Sequence, residues 1–360
     1  MQLLDASPQM PADPAKRKRV PSWVRPLASL LLMGAIFGWM IHKIAIHWAD
    51  VKSRAGSISI VNFAIAAVLF ALFLFVFRAL VWRRILKRFG YPLPLAPATR
   101  IWSTSEMARY IPGVIWQVAG RVYLVKPYGV SGSVCAASQV LELVIFLLAN
   151  ILLGVSCLVF FGLRNVHGQA RVWLFVLAAM VPLLALLLHP GVFYGLMNKL
   201  MDRLKKPPLT NRLSGTELAR LLMWNILGLL LQSVAVFLIV APPLGLLWSK
   251  WYVVTGGYCL AWCAGFLAVL NPGGLGVREA VFVAAMRFAL PRYVQDQFTN
   301  KAVLVSFLTF LSGLLRLWTI AGELILTGIA HAADHRGAMG RSPNRSAPLS
   351  GMSVPTPVSE

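Results

Sequence analysis

Hydrophobic residues along this chain fall in long blocks, not in the alternation of a half-buried strand or the narrow stripe of a soluble helix. The blocks at 27–46, 58–81, 133–161, 172–188, 221–248 and 303–329 approach or exceed the ~20 apolar residues that a helix needs to cross a ~30 Å hydrocarbon core. They predict six full membrane spans. Two other regions are apolar but broken. Residues 253–270 and 281–290 flank Asn271-Pro272-Gly273-Gly274-Leu275-Gly276-Val277-Arg278-Glu279-Ala280. Pro lacks the N–H and Gly frees the backbone, so the first helix stops there, and a ten-residue second arm is too short to cross. Backbone broken at membrane depth is tolerated only where protein or a wet cavity covers it. The pattern predicts a re-entrant hairpin with Pro272, Gly273, Gly274 and Gly276 at its tip.

A second interrupted stretch, 101–125, has mixed polarity, with two arms of about ten residues joined at Pro112-Gly113. It fits a second re-entrant hairpin. An amphipathic helix lying in the interface with a proline kink fits the pattern almost as well. With both hairpins returning to the side they start from, each half of the chain has two spans, a hairpin and one more span, and the two halves enter the membrane from opposite sides. That is an all-α polytopic membrane protein of six full spans plus two re-entrant helical hairpins in an inverted-topology repeat. Transporters of this type place substrate where discontinuous helices meet. The organisation is a polar tail at 1–26, a membrane domain at 27–329 and a disordered tail at 330–360, rich in Gly, Ser and Pro.

Charge supports this layout. Charged residues make up only 13% of the chain, half the share in soluble domains, yet the net charge is +22. Lys and Arg number 19 in the segments assigned to the inside (16–25, 83–100, 199–220, 336–345) and 8 in those assigned outside. This bias puts both termini in the cytoplasm. The basic excess therefore faces anionic lipid, and no basic stripe lies in a segment able to form its own nucleic-acid-binding fold. The block at 27–46 is too long for a signal-peptide core and lacks a small-x-small cleavage site.

Cys135, Cys157, Cys259 and Cys263 all fall in apolar blocks, where they read as small buried hydrophobes and not as disulfides or soft-metal ligands. His331 and His335 offer two metal ligands and no third. PGGLG lacks the Gly-Lys-Ser/Thr of a phosphate loop and follows no strand. No metal and no cofactor is expected.

The chemistry is confined to charges inside apolar segments: Glu106, Arg109, Arg121, Glu142, Arg278, Glu279, Arg316 and Glu323. A lone carboxylate at the bilayer centre is unfavourable by roughly 3 kcal/mol, so partners are expected. Glu106 and Arg109 can pair at i,i+3, and Ser138, Glu142 and Asn150 form a polar stripe on one span. Two readings stand. In one, these are structural ion pairs. In the other, Glu106, Arg109, Arg121, Glu142, Arg278 and Glu279 form a substrate site. There the guanidinium forks take an anionic lipid headgroup, Gly273, Gly274 and Gly276 let backbone N–H groups approach it, and Glu142 and Glu279 counter the arginines when the site is empty. Glu106 with Glu142 also offers an acid/base pair for a membrane-embedded enzyme.

Arg109-Tyr110-Ile111-Pro112-Gly113, Trp116, Gly120-Arg121, Glu142 and Pro272-Gly273-Gly274-Leu275-Gly276-Val277-Arg278-Glu279 resemble the membrane domain of lysylphosphatidylglycerol synthase/flippase proteins and the wider flippase-like family, over about residues 25–330. The resemblance implies a multi-pass bacterial inner-membrane protein, a lipid flippase for a phospholipid, isoprenoid lipid or lipid-linked molecule. Its partners would be a membrane lipid and possible lipid-biosynthesis enzymes. The aminoacyl-transferase domain of the synthases is not matched, so lysyl transfer is not expected. A membrane-embedded enzyme, or an accessory or structural subunit of lipid or glycan biosynthesis, is the alternative.

Overall fold

A computed structural model describes residues 24–111, 115–161, 169–203, 205–209, 212–268, 274–290, 298 and 300–339. Among them every regular element is helical. In chain order these are α1 (Val24–Ile46), α2 (Trp48–Ala55), α3 (Ile60–Arg88), α4 (Leu95–Met107), α5 (Ile115–Val125), α6 (Gly132–Phe161), α7 (Gln169–Leu188), α8 (Pro190–Arg203), α9 (Gly215–Val240), α10 (Trp251–Leu267), α11 (Val277–Ala289) and α12 (Lys301–Met339).

Among the described residues, four helices are long and apolar enough to cross a membrane: α3, α6 over Gly132–Cys157, α9, and α12 over Lys301–His335. A fifth crossing is possible where α7 meets α8 at a 70° bend. Of the six expected spans, the block at 27–46 is helical over 23 residues as α1. The block at 172–188 becomes α7, which turns sharply at His189-Pro190 into α8, a helix that continues beyond the apolar block. Proline fits there because at the first helical position its missing N–H has no partner to lose. Helix α8 then buries Phe193, Tyr194, Met197 and Met201 on one face. Helix α9 starts before residue 221, at a capping box in which Ser214 Oγ accepts from Glu217 N and Glu217 accepts from Ser214 N. It stops at Val240, and Pro242 and Pro243 open a short 3-10 turn beyond its end. The tail expected to be disordered from 330 is helical to Met339, because α12 runs on past the apolar block.

The interrupted regions form two helical hairpins, α4 against α5 and α10 against α11. At 1.5 Å per residue their arms measure ~20, ~17, ~26 and ~20 Å, all below the ~30 Å core. The packing is exchanged between the halves: α4 lies on α12 as α10 lies on α6, α5 on α6 as α11 on α12, α1 on α12 as α7 on α6, and α3 on α9 closes the centre. Close approach is set by small residues. A Cβ on Gly154 or Gly256 would sit 3.2 and 3.1 Å from the Cβ atoms of Cys259 and Cys157 across the α6–α10 contact.

Contacts of arginine side chains mark the ends of the bundle. Arg88–Glu217 at 2.5 Å and Arg100–Asp334 at 2.7 Å lie at one end. The Arg54 guanidinium, 3.9 Å over the Phe298 ring, marks the other, a full α3 length away. The α4–α5 hairpin therefore opens at the first end and α10–α11 at the second.

Candidate functional site

Depth along α12 locates the inner ends of the hairpins. Arg100 pairs with Asp334, and nine residues further in Arg109 pairs with Glu323, eleven residues back along α12. Both intervals come to ~14–16 Å, about half the hydrocarbon thickness. Seven residues deeper, Arg316 Nε lies 3.7 Å from Glu279 Oε1 at the start of α11, and its guanidinium sits 5.3 Å over the Tyr110 ring. One residue of α12 thus touches both hairpins. Pro112, Gly113, Pro272 and Gly273, expected at the tips, lie outside the described residues.

Beside this junction runs a ladder of alternating charge. Glu142 on α6 accepts from Arg78 at 3.1 Å, from Arg121 at 2.7 Å and from Trp102 Nε1 at 3.0 Å. Arg121 on α5 also donates to Glu106 at 2.7 Å and to Ser105 Oγ at 2.8 Å. Glu106 on α4 takes further hydrogen bonds from Gln117 at 2.6 Å and Arg109 at 3.1 Å. Arg109 continues to Glu323, which also accepts from Tyr110 Oη at 2.9 Å. Five helices are tied together in this way. Replacing a buried pair by apolar residues is often neutral, but removing one member strands its partner. The ladder thus fixes the register of the helices while adding little net stability.

The substrate residues expected from the sequence therefore separate into two sets. Arg109 and Arg121 spend their forks on carboxylates already present. Glu142 counters Arg121 and Arg78, and Glu279 pairs with Arg316, not with its neighbour Arg278. Arg278 differs from all of these. Its guanidinium lies 4.7 Å over the Trp262 ring, and its Nε is buried with no hydrogen-bond partner among the described residues. Among the described residues, Arg78, Arg109, Arg121, Arg278 and Arg316 stand against Glu106, Glu142, Glu279 and Glu323, one cation in excess.

The backbone at the α11 end holds Arg278 in place. Gly274 has φ +67° and Gly276 φ +84°, a region open to glycine. A Cβ on Gly274 would lie 2.5 Å from the Gly265 carbonyl oxygen, and one on Gly265 would strike Arg278 Cγ. The N–H of Gly276 donates to Glu279 Oε2 at 2.6 Å, so this helix start is capped from within, not offered to an anion. Tyr258, Trp262, Arg278, Glu279, Arg316 and Thr319 line a cavity of about 40 Å³, room for ~3 waters.

Arg78 was missed from the sequence. It lies in a π-helical turn, Phe73–Ala79, within α3, and its guanidinium packs 3.8 Å from the Phe146 ring centroid. Such π-helical turns inside α-helices are frequent at functional sites. Its position five residues before Arg83-Arg84 disguised it as part of the basic flank. Glu323 and Arg316 were visible as intramembrane charges, but their partners were not.

Residues 27–315 match the family model described as the lysylphosphatidylglycerol synthase TM region. No curated protein and no solved structure matches the chain.

Proposed function

Because the chain belongs to the family of the lysylphosphatidylglycerol synthase TM region, we propose that it is a lipid transporter, moving a phospholipid, isoprenoid lipid or lipid-linked molecule between the leaflets of a bacterial inner membrane. The observation that carries this reading is Arg278: a guanidinium with no carboxylate partner among the described residues, beside a small cavity that Tyr258, Glu279, Arg316 and Thr319 share with apolar side chains, where two short helical hairpins converge on α12. An anionic headgroup supplies the missing charge and two acceptor oxygens in the geometry of the fork. The remaining arginines hold the hairpins.

In this reading the six-span, two-hairpin inverted repeat is the working topology, with both termini cytoplasmic. The exchange of contacts between halves supports it, as do hairpins opening at opposite ends and reaching about half-depth. The headgroup crosses through the polar junction while acyl chains stay in hydrocarbon. Lipid-biosynthesis enzymes are the expected partners. Acid/base catalysis by Glu106 and Glu142 is less favoured, since Arg121 bridges the two and occupies an oxygen of each.

Purified protein in vesicles, with leaflet-resolved lipid quantification and mass spectrometry, tests the proposal. Redistribution between leaflets without covalent change supports transport. A changed lipid species would transfer the site to an enzyme.

A further inference from the structure

Between α1 and α11, with α12 as floor, lies an apolar groove formed by two adjoining cavities of about 230 and 530 Å³. Both are lined by Trp39, Ala280 and Val283. The inner one reaches Glu279 and Ser312, which also line the cavity of Arg278 and Arg316. The outer one ends at Arg287, an exposed cation in the last turn of α11. The groove opens sideways: Trp39 is 44% exposed, and Ala280 and Ala284, one turn apart on α11, present only methyl groups.

Its length and charge indicate what fills it. From Glu279 to Arg287 is eight residues, or ~12 Å of helix, close to the ~15 Å half-thickness of a hydrocarbon core. It runs from the end of the bundle where Arg54 meets Phe298 to the depth at which the hairpins converge. An apolar slot with a cation at its interfacial end and hydrocarbon along its open side matches a phospholipid, whose phosphate and acyl chain are separated in the same way.

We infer that the groove holds one acyl chain of a phospholipid from the leaflet at the Arg287 end, its phosphate on Arg287 and its chain end beside Glu279. The groove is then the lateral portal between that leaflet and the Arg278–Arg316 cavity. Its portal role rests on the transport reading; occupancy by lipid does not.

The test uses the full chain purified in detergent, with retained phospholipid counted by native mass spectrometry. Ala284→Trp fills the groove, Ala280→Leu narrows its inner part, and Ile65→Trp on the exposed face of α3 serves as control. One phospholipid is expected to stay with wild type and Ile65→Trp. Retention is expected to fall about tenfold in Ala284→Trp, the equivalent of ~1.4 kcal/mol of overpacking, at an unchanged unfolding midpoint. Ala280→Leu repeats the test if the larger substitution impairs folding. Arg287→Glu is expected to weaken retention of phosphate-bearing lipid. Unchanged retention in both groove-filling variants overturns the inference. Lipid lost in Ala284→Trp with leaflet exchange still at the wild-type rate overturns the portal role. Lipid displaced as expected from a protein that exchanges none supports the acyl site while the transport reading falls.

Discussion

Replacing Arg121 with Met removes the guanidinium that joins Glu106 on α4 to Glu142 on α6. The side chain is 1% exposed and donates three hydrogen bonds of 2.7–2.8 Å, to the two carboxylates and to Ser105. Glu106 retains Arg109 and Gln117, and Glu142 retains Arg78 and Trp102, so neither acid is wholly abandoned. Each does lose its shortest cationic contact in a place water does not reach. Breaking a buried pair in this way costs ~3–5 kcal/mol. At 1.4 kcal/mol per decade that is a ~100- to 4,000-fold fall in the folded/unfolded ratio. Arg121→Lys keeps the charge but cannot span both carboxylates with a planar fork, so an intermediate loss is expected. Chemical unfolding in mixed micelles, followed by tryptophan fluorescence, measures both. If Arg121→Met unfolds within ~1 kcal/mol of wild type and yet abolishes lipid movement, the ladder is not a scaffold. Arg121 would then belong to the substrate.

Two further predictions follow from the backbone and from the ends of the bundle. Gly274→Ala places a Cβ 2.5 Å from the Gly265 carbonyl at a left-handed φ, and is expected to destabilise by at least ~2 kcal/mol in the same unfolding assay. Cysteines introduced singly at Arg100 and Asp334 are expected to react with a membrane-impermeant reagent from one side, and those at Arg54 and Phe298 from the other. Labelling of Arg100 and Arg54 positions from the same side would contradict the hairpin arrangement.

The sequence carries more of the helices than of the site, for physical reasons. Crossing length and broken backbone are local properties, so the blocks at 133–161 and 303–329 and the short arms either side of residues 112–113 and 271–276 were legible directly. The i,i+3 pair Glu106–Arg109 was legible for the same reason and closes at 3.1 Å. Helix α8 was less visible, because its apolar face is diluted by lysine and arginine on a 14-residue segment. Partners between helices depend on tertiary packing. Nothing local links Arg109 to Glu323, 214 residues away, or tells that Glu279 turns to Gly276 and Arg316 while Arg278 turns to Trp262. For that reason three arginines look equivalent in the sequence, and only tertiary packing singles out Arg278.

Lipid translocation by Arg278→Gln in proteoliposomes, measured alongside its unfolding free energy, tests the central claim most directly. Gln keeps hydrogen-bonding capacity and removes the charge, and no carboxylate pairs with Arg278 among the described residues, so stability is expected to change by less than ~1 kcal/mol. The account predicts a folded protein that no longer moves lipid. Transport at the wild-type rate, or a protein that loses its fold as Arg121→Met does, would contradict it.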